Sequence, residues 1–193
     1  MAISTGHVGV NVGAGHVKRT RQTPMGEGRV EPRLTSGQVW QGLAKGSFAV
    51  LSYATPAGEP RSSGVAYKAI GRRLYVGVAP DSWKAKHVAA TGRVAVTVPV
   101  RRGGLLSLVA TIPPATISFH GAAIVHPAGS PQASALVKEL GSVIPKERRA
   151  CDSVIEIRPE GAFLTYGVGV PLLKMLDVTA ALARVPVTTE GGT

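Results

Sequence analysis

Six or seven short strand candidates, interrupted by only three helix candidates, constrain the fold of this chain most strongly. The clearest strand spans 116–126, where Ile117, Phe119 and Val125 share one face. A doubly wound parallel sheet needs a helix between successive strands, and here the strands outnumber the helices. An antiparallel sheet that closes on itself leaves no unpaired edges. We therefore expect a mainly β protein, a small antiparallel β-barrel with peripheral helices.

Three segments carry the polar residues typical of helix starts. Thr35 and Gln38 have the spacing of a capping box, in which each side chain bonds the backbone of the other residue. Ser82 can cap a helix that ends before Gly92. Ser130, followed by a proline, is typical of an N-cap and a first helical residue.

Turn residues predict two hairpins within the barrel. The first would pair 61–68 with 73–78 around a glycine-containing turn. The second would pair 153–158 with 162–170 across the Pro-Glu-Gly turn at 159–161. Both hairpins would add neighbouring antiparallel strands to the sheet.

The sequence divides into an ordered middle and two different ends. Residues 1–33 are rich in glycine and then basic, with no strand or helix period, and we expect a flexible basic N-terminal arm. Residues 34–170 would form the barrel domain. Residues 171–193 would form a C-terminal tail with one short helix.

The sequence gives no reason to expect a metal site or a membrane partner. Cys151 is the single cysteine, which excludes an intrachain disulfide and a cysteine zinc cluster. His120 and His126 share a strand but would lie roughly 20 Å apart. No segment reaches the roughly 18 apolar residues of a membrane span, and the N-terminus lacks a secretory signal pattern. We expect a cytoplasmic protein.

The charge is strongly basic and unevenly placed. The chain has 22 Lys and Arg residues against 11 Asp and Glu residues, a formal net charge of +11. Between Pro60 and Lys138, Asp81 is the one acidic residue among ten basic ones. An anionic partner near this part of the chain is expected, although most such side chains only solubilise a surface.

Lys84 and Lys86 point to a more specific anion site. Both would lie in the first two turns of the helix capped by Ser82. Cations there oppose the helix dipole by roughly 0.3–1 kcal/mol each, whereas a phosphate bound to the free backbone N–H groups would reverse that effect. Arg61 and the two serines that follow it open the strand that leads toward this helix.

Five stretches form an ordered set around these residues. They are Gly-Glu-Pro-Arg-Ser-Ser-Gly-Val-Ala-Tyr at 58–67, Leu-Tyr-Val-Gly-Val at 74–78, Ser-Trp-Lys-Ala-Lys-His-Val at 82–88, Gly-Arg-Val-Ala-Val-Thr-Val at 92–98 and His-Gly-Ala-Ala-Ile-Val at 120–125. In this order and spacing they resemble the pyridoxamine 5′-phosphate oxidase-like flavin-binding split barrels. The helix and strand at 82–98 look like that family's Ser-x-Lys-x-x-Asn-Leu helix and the strand after it. The resemblance covers about 35–170.

The resemblance implies a fold, an activity and an assembly. The fold would be a six-stranded antiparallel split barrel of the FMN-binding type, usually a homodimer with the cofactor at the interface. Members of the family bind FMN or the deazaflavin coenzyme F420, and some bind heme. The chain would be a flavin- or deazaflavin-dependent oxidoreductase in which the cofactor ring carries the hydride, so no catalytic side chain is expected.

The resemblance also implies which residues would hold the cofactor. The phosphate and ribitol would meet the polar residues at the start of one strand: Arg61, Ser62 and Ser63. The ring would lie along the backbone and above the end of a second strand: Val65, Ala66, Tyr67, Gly77 and Val78. The helix start would hold the phosphate: Ser82, Trp83 and Lys84. Thr116 would reach the cofactor from the partner subunit.

The sequence also departs from the family pattern. Trp83 stands where the oxidases proper have an arginine, and His87 replaces the usual asparagine. The C-terminal Arg-x-His substrate motif of the oxidases has no match, so oxidation of pyridoxamine phosphate itself is not expected. FMN suits a phosphate site at Lys84, whereas the acidic tail of the deazaflavin coenzyme suits a surplus of arginines: Arg72, Arg73, Arg101 and Arg102.

Two other functions fit the sequence. The basic charge permits a nucleic-acid-binding protein, but no helix-turn-helix, zinc finger or RNA-recognition signature supports nucleic acid as a partner. The apolar run at 105–112, within a loop expected over 101–114, would suit a split barrel without a cofactor that carries an apolar ligand.

Overall fold

The computed structural model describes residues 34–100, 114–141, 153–171, 175 and 177–188. The expected N-terminal arm, the loop at 101–113 and Cys151 lie outside the described residues. The elements follow in chain order: α1 Ser36–Lys45, β1 Phe48–Ala54, β2 Pro60–Ala66, β3 Lys68–Ile70, β4 Arg73–Val78, α2 Trp83–Thr91, β5 Arg93–Val100, β6 Ala115–His126, α3 Pro131–Leu140, β7 Ser153–Tyr166, α4 Val178–Ala181 and β8 Leu182–Pro186.

The described strands form one antiparallel sheet that curls toward a barrel. The strand order is β2-β1-β5-β6-β7-β4-β3, and β8 pairs with β7. Four strands separate β2 from β4 in this order, yet β2 contacts β4, so the curl brings the two ends of the sheet together. The mainly β split barrel with peripheral helices is confirmed, with eight strands rather than the expected six.

The first expected hairpin was wrong in its pairing. β2 pairs with β1 over its whole length, from Ala54 opposite Pro60 to Phe48 opposite Ala66. Only the short β3 pairs with β4. The chain turns between β1 and β2 because the Thr55 N–H bonds the Glu59 carbonyl, and this turn makes the two strands neighbours.

The second expected hairpin is one continuous strand. β7 runs through 159–161 and pairs with β6 on both sides of them. The register shifts between Ser118 and His120 of β6, opposite Gly161, which has a φ of 67°. The turn-prone residues therefore form a β-bulge, because the long β6 offers backbone partners to both halves of β7.

The segment expected to be a tail contributes the last strand. β8 pairs with the second half of β7, with Tyr166 opposite Leu182 and Ala162 opposite Pro186. The short α4 precedes it, capped by the Asp177 side chain, which accepts from two backbone N–H groups. A five-residue edge strand that ends in proline gives only a weak sequence signal.

The helix starts are confirmed. Thr35 and Gln38 form the capping box of α1, Ser82 caps α2, and Ser130 caps α3. Gly92 ends α2 in the left-handed conformation, at a φ of 63°. Within the described ranges, no helix has the length and apolar character that crossing a bilayer requires.

The core lies on the concave face of the sheet. α1 covers it with Val39 and Leu43, and α2 with Ala85 and Val88, all of which are buried. Phe163 packs edge-on against Trp40 and Phe119, with ring centroids 5.5 and 5.6 Å apart. α2 itself contacts β1 and β6.

Candidate functional site

The start of α2 presents backbone donors. The Ser82 hydroxyl accepts from the Ala85 N–H at 3.2 Å, which leaves the N–H groups of Trp83 and Lys84 without an acceptor among the described residues. No acidic residue lies in the first turn. A helix start of this kind favours an anion.

Lys84 adds a charge to this helix start. Its side chain is half-buried and forms no ion pair with the described residues. Burial lowers the pKa of its amino group, since desolvation disfavours the charged form. Trp83 is 72% exposed, and the Lys86 amino group lies 5.0 Å from its ring centroid. A bound anion would favour the charged form of Lys84.

An aromatic contact connects α2 to the start of β2. The His87 ring lies 5.8 Å from the Trp83 ring and 5.9 Å from the Tyr53 ring. Tyr53 stands directly opposite Arg61 in the β1–β2 ladder. Tyr53 thus connects the strand position opposite Arg61 with the rings of His87 and Trp83 on α2.

Two buried polar atoms in this region have no hydrogen-bond partner among the described residues. They are the Ser63 hydroxyl and Nδ1 of His87. Ser63 lies on the same face of β2 as Arg61, two residues along the strand. Buried polar atoms usually have partners, so these two, with Lys84 nearby on α2, fit a ligand that carries a phosphate and hydroxyl groups.

The pairing of β2 with β1 determines which backbone N–H and C=O groups of β2 remain available to a ligand. The Tyr67 N–H donates to the Ser47 carbonyl at 2.9 Å, and the Thr55 N–H donates to the Glu59 carbonyl at 2.9 Å. In an antiparallel ladder, bonded residues alternate along each strand. The bonds at both ends of the ladder therefore show that the N–H and C=O groups of the odd-numbered residues of β2 point toward β1.

The even-numbered residues of β2 face the open edge of the sheet. Ser62, Gly64 and Ala66 direct their N–H and C=O groups away from β1, whereas Val65 and Tyr67 direct theirs toward it. Ala66 can thus meet a ring through its backbone. The Tyr67 side chain is buried, and its hydroxyl donates to the Leu43 carbonyl at 2.6 Å.

The other predicted residues lie on two further strands. Gly77 and Val78 end β4, next to the chain that enters α2. Thr116 lies on β6, seven residues, or about 23 Å of strand, from Ala123, whose N–H bonds the carbonyl of Gly92 at the end of α2. Thr116 therefore lies far from the C-terminal end of α2 within one protomer.

Sequence reasoning missed two residues of the site. His87 was noted only as a departure from the family pattern, although its spacing of four residues from Trp83 places both on one face of α2. No local sequence pattern pointed to Tyr53 as a site residue. Its contact with His87 depends on how α2 packs against β1.

The outer face of the sheet carries an exposed apolar band. Phe48 and Val50 of β1, Leu164 of β7 and Leu182 of β8 are exposed, with 36–56% of their surface accessible. The register places them in neighbouring rows, with the Thr97 and Ser118 hydroxyls between them at 3.0 Å. Large exposed apolar patches mark interaction surfaces.

Comparison with known proteins gives matches to solved structures. HutZ, the heme storage protein from Vibrio cholerae, is 11% identical over 69% of this chain and 95% of its own, with a TM-score of 0.56. A conserved hypothetical protein from Mycobacterium tuberculosis is 14% identical over 86% of this chain and 97% of its own, at 0.54. General Stress Protein 26 from Bacillus anthracis is 16% identical over 77% and 97%, at 0.51.

No family model and no curated protein matches the sequence. At these low identities the structural matches show the fold. The chain is a split barrel, as its motifs predicted.

Proposed function

We propose that the chain binds a flavin-type cofactor, FMN foremost, and acts as an oxidoreductase. The observation that carries the proposal is the start of α2, where two N–H groups without a described acceptor and the half-buried Lys84 lie in a first turn that contains no acidic residue. An FMN phosphate would satisfy all of these groups at once.

This chain's residues would bind and orient the cofactor. Lys84 and the N-terminus of α2 would hold the phosphate, and the Ser63 hydroxyl would meet the ribitol. The open edge of β2 at Gly64 and Ala66 would lie along the ring. When bound, a flavin supplies the hydride chemistry, and the protein supplies its position and the exclusion of water.

The arginines favour FMN over the deazaflavin coenzyme. The acidic tail of that coenzyme would need free basic side chains. Arg72 donates to the Thr188 carbonyl at 2.8 Å, and Arg73 pairs with Glu156 at 2.8 Å. Both already bond partners within the chain, so an acidic tail would have to share their remaining donors.

The proposal includes a homodimer. A second copy on the apolar band would cover Phe48, Val50, Leu164 and Leu182, which are otherwise exposed to water. Thr116 lies beside this band, on the same face of β6 as Ser118. A partner's Thr116 would then be available to a cofactor site at the interface.

Heme is the second candidate. HutZ, a heme storage protein, is among the structural matches with a TM-score of 0.56. Heme propionates, like a phosphate, would suit Lys84. A heme carrier would bind its ligand without the redox turnover proposed above.

An absorbance spectrum of the purified full chain separates these possibilities. The protein is mixed in turn with FMN, the deazaflavin coenzyme and heme, and the excess is removed. A retained FMN band supports the proposal, whereas retention of heme alone contradicts it. A featureless spectrum after all three additions contradicts it too, and directs attention to apolar ligands and nucleic acid.

Lys84→Glu tests the site within that experiment. The new carboxylate would repel a phosphate, and we expect FMN retention to be lost while the fold persists. Lys86→Glu makes the same charge change two residues away on the exposed side of α2 and should lower affinity at most a few-fold. Tight FMN binding by a folded Lys84→Glu protein would refute the assignment of the site.

A further inference from the structure

A second concave surface lies on the outer face of the sheet. It is an open cleft of about 610 Å³ where the end of β1 and the start of β2 meet the start of β5 and the middle of β6. Six polar residues line it: Ser52, Tyr53, Arg61, Ser62, Arg93 and His120. The ladder registers direct the side chains of Ser52, Ser62, Arg93 and His120 to this outer face and those of Tyr53 and Arg61 to the inner one. The remaining lining residues are small or apolar, and the volume suits a small organic molecule.

The charge of the cleft has one sign. Two of its lining residues, Arg61 and Arg93, are basic, and none is acidic. The carboxylates that pair with these arginines, Glu59 with Arg61 and Glu160 with Arg93, are not part of the lining. Because each guanidinium has five donors, a single carboxylate partner leaves donors for a ligand.

His120 lies beside the bulge that separates the two halves of the β6–β7 ladder. The register shifts next to His120, and Gly161 opposite it has a positive φ. A Cβ atom at Gly161 would lie 3.4 Å from Cε1 of His120, in van der Waals contact with the ring. Bulges re-aim side chains and are enriched next to functional sites.

We infer that this cleft binds a planar organic anion, through Arg93 and His120 rather than through the start of α2. Arg93 and His120 would bond its carboxylate, since both can donate N–H groups. The flat body would lie on the small side chain of Ala95, which forms the floor between Ser52 and His120. The cleft begins where the apolar band ends, two residues along β1 from Val50.

The test is calorimetric titration of the full chain, without flavin, with 2-naphthoate and with the neutral 2-naphthamide. We expect naphthoate to bind at least about tenfold more tightly than the amide, because charge-assisted bonds are the stronger ones. Arg93→Gln should weaken naphthoate binding about tenfold. Arg184→Gln, which removes an exposed arginine on β8 outside the cleft, should leave it unchanged.

A second variant keeps the charges and fills the cleft. Ala95→Phe places a ring on the floor and should abolish binding, with the fold checked by circular dichroism. Equal affinity for naphthoate and naphthamide, or unchanged binding by folded Arg93→Gln and Ala95→Phe proteins, would overturn the inference. Lys84 and Arg61 stay intact and no flavin is present, so this outcome is independent of the flavin experiment.

Discussion

Tyr67 joins the end of β2 to the end of α1 through one hydroxyl group. The ring is fully buried, and the hydroxyl donates to the Leu43 carbonyl at 2.6 Å. Burial raises the pKa of this hydroxyl to about 12. The unfolded chain would release that proton near its ordinary value of 10.0, so stability should fall as the pH rises from 10 toward 12.

Tyr67→Phe should lower the free energy of unfolding by about 1–2 kcal/mol, because it removes a buried hydrogen bond. It should also remove part of the loss of stability at high pH. Urea titrations at neutral pH and near pH 11 measure both effects. Tyr75→Phe is the matched control, since its hydroxyl has no bond to a described residue. Equal effects of the two variants would contradict the role of Tyr67.

Glu156 is a buried carboxylate among three basic groups. Arg73 donates to it at 2.8 Å and Arg158 at 2.9 Å, and Nε2 of His126 lies 3.0 Å away. Burial alone would raise the pKa of this carboxyl group, but the bonds from Arg158 and His126 and the charge of Arg73 hold it below its ordinary value of 4.5. The carboxylate therefore stabilises the fold above that pH.

This contribution should disappear as the pH falls below 4.5, through the lowered pKa of Glu156. Glu156→Gln should cost about 1–3 kcal/mol at neutral pH and should flatten the acid limb of the stability curve. Urea unfolding between about pH 7 and pH 3 measures it. Glu139→Gln on the exposed side of α3 is the control, and an acid limb unchanged by Glu156→Gln would exclude this role.

At the scale of elements, β2 is an edge strand whose backbone N–H groups alternate between bonding β1 and facing the open edge. The N–H groups of Ser63, Val65 and Tyr67 bond β1, whereas those of Ser62 and Gly64 face the open edge. In the protein without cofactor, hydrogen exchange should be fast at the even positions and slow at the odd ones. Nuclear magnetic resonance measures this, and uniform protection would mean that another chain covers the edge.

The elements also show how much of the fold could be predicted from the sequence. The caps of Thr35, Ser82 and Ser130 act within one turn, so local pattern identified all three helix starts. The partner of β2 depends on the turn at Thr55, and the path of β7 depends on the length of β6, which no local pattern contains. Lys84 and Arg61 were found through charge, but Tyr53 joined them only through tertiary packing.

At the scale of the molecule, the apolar band determines how two copies would meet. Leu164→Glu would place a charge in the middle of that band, and we expect it to convert the proposed homodimer to a monomer, because burying an unpaired charge is costly. Light scattering after gel filtration measures the mass. Val178→Glu changes an equally exposed apolar side chain on α4, outside the band, and should leave a dimer. A monomeric unmodified chain would contradict the dimer.

The two indoles of the chain stand in opposite surroundings. Trp40 packs against Phe163 beside the core, whereas Trp83 is exposed at the start of α2. Their fluorescence should therefore differ in colour and in access to soluble quenchers. The Trp83 signal should respond to whatever occupies the helix start, while the Trp40 signal follows the integrity of the barrel. The molecule thus contains separate optical reporters for occupancy and for folding.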